Sequence, residues 1–286
     1  MAEHILRWED DGIEVEALPG IGGRLHRVRA FGVDLLRTPP DVDTHREDPF
    51  FWGAYPMAPW TNRAPADPLV VAGRRVALTP NFADGSAIHG QVSTAPWQRV
   101  DESTLRIQAG DDGWPWRYDV HARFRVGPGS CGLRLELRNL DDAPMPAGVG
   151  LHPWFRKPLQ VAVPAGRAFA DNTDPTVEPQ PVEGQLDLRE LDAMADDLDA
   201  TWTGLTGDAV ELAWPTHGVR ATFRFGASAT FVAAASPADL DAVAVEPTTH
   251  APPALRRVVE QEPGAPVLLP PGAVLAADYE LHAHRA

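Results

Sequence analysis

The feature that most constrains this chain is an apolar–polar alternation with a period of two. In YDVHARFRV, Val120, Ala122, Phe124 and Val126 fall on one side, and His121, Arg123 and Arg125 on the other. In CGLRLELRNL, Leu133, Leu135 and Leu137 oppose Arg134, Glu136 and Arg138. Successive side chains of a strand point to opposite faces, so each segment reads as a half-buried antiparallel strand. GPGS, residues 127–130, joins the two as a hairpin connection. The alternation returns in GVRATFRF (218–225) and in AVLAADYELHAH (273–284), which puts Leu275, Ala277, Tyr279 and Leu281 on one face.

Many strands with one apolar face are best buried by stacking two antiparallel sheets. No strand–helix–strand rhythm is present, so a parallel α/β sheet is disfavoured. With 29 prolines and 24 glycines among 286 residues, turns and short extended segments are expected rather than long helices. The best helical pattern is Leu186 to Leu198, where Leu188, Leu191, Met194, Ala195 and Leu198 lie near a helical period. It is short and acidic, which predicts one or two turns of surface helix. Strand signals run along the chain with no low-complexity linker and no internal repeat. The expected fold is therefore all-β, a large antiparallel β-sandwich, with residues 1–286 as a single domain. The proline-rich stretch 164–184 is the place where a boundary could fall.

Charge and cysteine usage narrow the function. Lys+Arg 25 against Asp+Glu 40 gives a net charge of −15, which supplies no broad basic surface for nucleic acid. The single cysteine, Cys131, excludes an internal disulfide and multi-cysteine metal sites. No apolar run approaches a membrane span, and the opening MAEHILRWEDDG carries charges where a secretory signal needs apolar residues. A cytoplasmic protein with no membrane partner is expected. Oligomeric state is left open, because sheet edges can be exposed, covered or paired.

Four segments interrupt the strand pattern with chemistry-bearing residues. FFWGAYPMAPWTNRA (50–64) runs through five aromatics into Asn62 and Arg63. DGSAIHGQV (84–92) carries His89, and AGVGLHPWF (147–155) carries His152 and Trp154. AVAVEPTTHAPPAL places Glu246 directly after the apolar run Ala242 to Val245. A carboxylate at the end of a buried strand needs a partner or a purpose. Arg256 or Arg257 could be that partner. Imidazole carries a proton near neutral pH, so a histidine facing Glu246 across a cleft would form an acid–base pair. His4, His26, His45, His121 and His217 read more simply as backbone-bonded residues at turns; His250 stays open, four residues after Glu246.

Arg63 offers a rigid fork of donors for hydroxyls or a carboxylate, though an ion pair with Asp67 would also occupy it. Trp60, Trp154 and Trp202 could present flat faces to a ring ligand or pack in the core. Asp199 lies in the acidic run ADDLDATW. GIGGRL (20–25) lacks the full dinucleotide spacing, and neither GxxxxGK[ST] nor GxSxG occurs. His282 and His284 share a strand face but have no further metal ligand nearby.

Together these segments resemble the aldose 1-epimerase family, the galactose mutarotases. The likeness lies in PWTNRA around Arg63, His89–Gly90 with Trp97 downstream, HPWF from His152, LDATW around Asp199, VEPTTHAPPAL around Glu246, and the closing PPGAVLAADYELH. It implies a β-sandwich of galactose mutarotase type with an open sugar-binding cleft. It further implies Glu246 as general base, His152 as general acid and His89 as a second histidine on the reacting sugar. Arg63 and Asp199 match hydroxyl ligands, with Asn62 and Trp154 beside them. The implied reaction interconverts α and β anomers of a free aldohexose, with a small-molecule sugar as partner and neither cofactor nor metal. An ionised carboxylate facing a protonated imidazole is expected for this pair. Two other readings fit the same residues: a non-catalytic sugar-binding or sensing protein on this fold, and a glycosidase using Glu246 and Asp199, which would need a suitable separation of the two carboxyls.

Overall fold

The structure is a computed structural model that describes residues 4–65, 67–174 and 176–286. Among them, eight strands form one antiparallel sheet in the order Gln98–Arg99, Thr104–Asp111, Trp114–Gly127, Ser130–Asn139, Val274–Arg285, Val219–Phe225, Ala209–Trp214 and Gln160–Ala162. The expected hairpin is present: Gly127 pairs with Ser130 across a two-residue turn. Alternation decides the faces. Ala122, Phe124, Leu133, Leu135, Ala277 and Tyr279 are buried, with Leu133 opposite Tyr279 and Leu135 opposite Ala277.

A second sheet of eleven strands lies against it. Its middle runs Arg24–Ala30, Ala54–Met57, Gly150–Arg156, Ala242–Thr248, Phe231–Ser236 and Leu198–Leu205. Aromatic contacts join the two sheets. Trp8 stacks on Phe124 at 5.1 Å, and Phe155 meets Phe223 at 5.8 Å and Trp214 at 5.9 Å. The expected antiparallel all-β architecture is therefore observed.

The central strands of the larger sheet are buried on both faces, which explains why they do not alternate in polarity. Val243, Val245, Leu151 and Phe155 point into the main core. Trp154, Ala242 and Ala244 belong to a second apolar cluster on the opposite face, with Phe50, Tyr55, Met57 and Ile88. Residues 50–53, 58–64 and 81–92 flank that face, and this is where the polar residues of interest collect.

The helix expected over Leu186 to Leu198 does not form. A 3-10 turn spans Gly184–Leu186, Asp192 bridges to Val161, and a strand starts at Leu198. Leu186, Leu188, Met194 and Leu198 are each buried in the main core, but from an irregular chain rather than from one helix stripe. Longer helical structure is limited to Ala254–Glu260 among the described residues. The stretch 164–184 contributes Ala165–Phe169, which pairs with Leu198–Leu205 inside the larger sheet.

One glycine is critical for the loop crossing near His89. Gly90 has φ +76, and a Cβ there would sit 1.9 Å from the Ala58 carbonyl oxygen. Gly73 has a similar φ of +80 but open space around it. Gly90→Ala is expected to destabilise the fold by about 2–4 kcal/mol, whereas Gly73→Ala loses only the ~1 kcal/mol of an unfavourable backbone region. Thermal unfolding of the two variants side by side checks this, and equal losses would contradict it.

Candidate active site

Strand register brings the two central residues together. Gly150 pairs with Thr248 and Trp154 with Ala244, so His152 and Glu246 stand level on neighbouring strands. With a side-chain period of two, they also share the face occupied by Trp154. His152 Nε2 lies 3.1 Å from Glu246 Oε1, and both side chains are almost fully buried. Arg256 and Arg257, the other possible partners for Glu246, instead pair with Glu262.

The loops supply the rest of a cleft of about 270 Å³. Arg63–Ala64 and Ala87–Ile88 form a short antiparallel pair that crosses Asn62 over His89. Their backbones are locked together: the His89 N–H donates to Asn62 O at 3.1 Å, and the Asn62 N–H donates to His89 Nδ1 at 3.2 Å. Asn62 and His89 both hold positive φ, 56° and 60°. Non-glycine residues kept in that region collect at functional sites, where surrounding contacts hold the strain.

The Asn62 contact decides the chemistry of His89. A backbone N–H can only donate, so Nδ1 accepts and the hydrogen of the neutral ring sits on Nε2. Burial, followed by the neighbouring His152 and Arg63, holds the His89 imidazole well below its ordinary range, so it stays neutral. His89 is thereby fixed as a hydrogen-bond donor through Nε2. His89, His152 and Glu246 bring potential ligand atoms within 4.8 Å of one another. With one His89 nitrogen engaged and the other protonated, however, that ring has no free lone pair for an ion.

Arg63 reaches across the cleft mouth, with Nε 2.7 Å from Asp84 and a terminal nitrogen 3.5 Å from Asp199. It does not take Asp67, the partner suggested by sequence proximity. Asp199 is half-buried and accepts a 2.7 Å hydrogen bond from the Asn172 amide. Burial raises its pKa, against the opposing pull of Asn172 and Arg63. Asp197 also lines the cleft, while Asp196 lies against Lys157. Asn62 spends its side-chain oxygen on the Arg63 N–H at 2.6 Å, which leaves its amino group for a ligand. Trp154 forms a wall, donating from its indole to Phe50 O at 2.6 Å and lying 5.2 Å from the His152 ring. Trp60 and Trp202 are core residues bonded to Ala87 O and Leu186 O.

The protonation state differs from the ionic pair expected from sequence. Burial, reinforced by Asp199, pushes the Glu246 carboxyl well above its ordinary range, against the pull of Arg63. Burial pulls the His152 imidazole down to about 3, and the Arg24 guanidinium adds to the effect. Both shifts favour neutral groups, because burial removes solvation from either charge. Glu246 and His152 therefore share one proton, held mainly by the carboxyl.

Behind the cleft lies a support that no sequence motif marks. His26 and His45 are buried and do not act as turn residues. His45 Nδ1 lies 3.2 Å from Arg24, and its Nε2 lies 2.9 Å from His26 Nδ1. Arg24 also donates to the carbonyls of Ile21, Pro49 and Ser93. Its guanidinium lies 5.2 Å from the Tyr55 ring, and Tyr55 stacks on His152 at 4.6 Å. His250 is another support: Nε2 accepts the Thr61 N–H at 2.9 Å and Nδ1 donates to Ala251 O, which anchors the loop ahead of Asn62. Phe82 and Ala235, also in the cleft wall, carried no signal beyond proximity to a motif.

The chain belongs to the aldose 1-epimerase family, whose sequence profile matches residues 5–249. Among individual proteins, YphB of Escherichia coli K12 is 28% identical over 115 residues, 39% of each chain. A galactose mutarotase-like protein from Clostridium acetobutylicum superposes with a TM-score of 0.85 at 14% identity, covering 99% of this chain and 96% of that one. Galactose 1-epimerase from Lactobacillus acidophilus NCFM gives 0.76 at 18% identity, covering 98% and 93%. At these identities the structural likenesses establish a shared galactose mutarotase-like fold.

The raised carboxyl has a consequence for stability. Above the unfolded glutamate value of about 4.3, the unfolded chain releases a proton that the folded chain keeps. Stability from this group is thus complete below that pH and falls, by up to about 1.4 kcal/mol per unit, as pH rises toward the folded pKa. Glu246→Gln retains the shape and removes the titration. Its thermal midpoint is expected to exceed that of the native chain at pH 7, with the gap closing near pH 4. A gap independent of pH would show that Glu246 is not held neutral.

Proposed function

We propose that residues 1–286 act as a single domain that interconverts the anomers of a free, neutral aldohexose in the cytoplasm, with no metal or redox cofactor. The observation that carries this reading is the 3.1 Å contact between a buried carboxyl and a buried imidazole, on the floor of a cleft lined with hydroxyl-binding groups.

Anomer exchange removes the proton of the C1 hydroxyl, protonates the ring oxygen and breaks the bond between C1 and that oxygen. Rotation about C1–C2 presents the other face of the open-chain aldehyde, and reversal of the proton transfers closes the opposite anomer. Glu246 takes the hydroxyl proton and His152 delivers one to the ring oxygen. Before sugar binds, their shared proton rests mainly on Glu246, whose carboxyl is raised while the imidazole is lowered. Entry of sugar hydroxyls, together with Arg63 beside the carboxylate, favours moving that proton to His152, which readies both groups. Because burial makes the His152 imidazolium a strong acid, its proton passes easily to a weakly basic ring oxygen.

His89, fixed as an Nε2–H donor, steadies charge on the reacting end of the sugar. Arg63, Asp199 and the Asn62 amino group hold the other hydroxyls while C1 stays free to turn. Trp154 gives the ring an apolar wall. The acid–base partner touching Glu246 is an imidazole rather than a second carboxyl, which favours mutarotation over glycoside hydrolysis.

Exchange spectroscopy by NMR on freshly dissolved aldoses tests the reading. The native chain is expected to accelerate anomer exchange, and Glu246→Gln or His152→Asn to lower kcat roughly 10²–10⁴-fold with the fold intact. Unchanged rates in folded variants would remove the assigned roles.

The shared proton also sets the pH profile. Independent groups would lose the imidazolium, and hence activity, as pH rises past about 6.5. Here the pair keeps its one proton through that range, because Glu246 is raised, and takes a second only at strongly acidic pH, because His152 is lowered to about 3. Activity is therefore expected to hold steady across pH 6–7.5, within the usual imidazole range. A half-maximal alkaline limb near the ordinary imidazole value would contradict the shared proton.

A further inference from the structure

Asp199 sits where the larger sheet loses a strand. The ladder between Ala165–Phe169 and Leu198–Leu205 ends where Phe169 meets Thr201, so only Ala235 pairs with Asp199, on its other side. The chain then loops and returns at Asn172, which donates its backbone N–H to Asp199 O at 3.1 Å. Its side chain spans the same gap a second time. Asp199 and Thr201, two residues apart on one strand, share a face, and the Asn172 amide lies between them. Nδ2 donates to Asp199 Oδ1 at 2.7 Å, and the Thr201 hydroxyl donates to Asn172 Oδ1 at 2.7 Å. Asn172 and Thr201 are both buried. We propose that Asn172 is a positioning residue, which holds the Asp199 carboxylate turned into the cleft as an acceptor of sugar hydroxyls. This rests on the mutarotase reading of the cleft, with Asp199 as a hydroxyl ligand in it.

The amide is oriented by its neighbours. An ionised carboxylate only accepts, so the amino group faces Asp199 and the amide oxygen is left to the Thr201 hydroxyl. Turning the amide over would set oxygen against oxygen. Asn172 occupies Oδ1 of Asp199, and Arg63 lies 3.5 Å from Oδ2, so each oxygen keeps one lone pair for a ligand. Burial raises the Asp199 carboxyl, and the Asn172 donor is the foremost contact opposing that rise, ahead of Arg63. Without this donor, the carboxylate would swing onto the Arg63 guanidinium, whose fork of donors suits it. Both side chains would then be withdrawn from the sugar. Asn172 stands outside the cleft wall, so it acts through Asp199.

Anomer exchange is measured by NMR on glucose and galactose, and on the monodeoxy analogues of whichever exchanges faster. Asn172→Ala is expected to raise KM about tenfold with kcat within about twofold, as for lost binding common to ground and transition states. Thr201→Val, which frees the amide to turn over, should raise KM about threefold. Thr173 anchors the same loop by donating to Asp171 Oδ1 at 2.6 Å, and Thr173→Ala should leave KM unchanged. The deoxy analogues supply a readout that a merely structural role would not move. In the native chain, deleting a hydroxyl that Asp199 accepts should raise KM about tenfold. In Asp199→Ala and in Asn172→Ala, deleting the same hydroxyl should cost little more.

An unchanged KM in folded Asn172→Ala would overturn the proposal, as would a fall in kcat alone. So would Thr173→Ala and Thr201→Val raising KM equally, or a hydroxyl deletion that costs as much in Asn172→Ala as in the native chain. If Asn172→Ala does not fold, Thr201→Val with the same deoxy analogues decides the matter. A native KM in Asp199→Ala would overturn this proposal and leave the proton-transfer pair standing. Acceleration of no aldose by the native chain would remove the mutarotase reading, and this proposal with it.

Discussion

A carboxyl and an imidazole held 3.1 Å apart in a place nearly closed to water impose most of what is distinctive about this structure. Neither group can carry an isolated charge there without a large desolvation cost, so they divide one proton between them. Contact and burial are both needed. In open solvent the two groups would titrate near their ordinary values, and at a greater distance the proton could not pass directly. The sheet supplies the contact through register, and the loops over its outer face supply the burial.

That division of labour shapes the rest of the site. The strands carrying His152 and Glu246 are central and backed by the main core, so their relative positions are set by ladder hydrogen bonds and by packing on both sides. Arg63, Asn62 and His89 sit instead on loops whose backbones cross through reciprocal hydrogen bonds. Two of these three residues hold positive φ, and the crossing is secured further by Gly90 and by the anchor from His250 to Thr61. The same interlock fixes which nitrogen of His89 bears hydrogen. A loop backbone therefore determines the chemistry of a side chain in the cleft.

Behind the site lies a buried cation. Arg24, fully buried, is stabilised by three carbonyls, by His45 and by the Tyr55 ring. Burial lowers its pKa to about 10, yet it keeps its charge at neutral pH. Burial and Arg24 together lower the neighbouring His45 to about 2, so the histidines of this network stay neutral. A buried charge of this kind is weak evidence for stability by itself. Its position behind the Tyr55–His152 stack does give His152 a fixed backing and a field that opposes a second proton.

Much of this protein is written locally in its chain. Period-two alternation around Phe124, Leu135 and Tyr279 specifies antiparallel strands with one buried face, because a strand sends successive side chains to opposite sides. Glu246 after Ala242–Val245, His152 in HPWF and Arg63 in TNRA were legible as polar residues set into apolar surroundings. Other features required the folded chain. The run from Leu186 to Leu198 has helical spacing, yet its backbone bridges to Val161 at Asp192 and enters the larger sheet at Leu198. Asp84, Asn172 and Phe82 enter the site, and Arg24 meets His45 and His26, only through contacts between distant segments. Protonation is the furthest from the sequence. Residue type assigns Glu246 and His152 their ordinary pKa values, and only their shared burial makes one proton serve both.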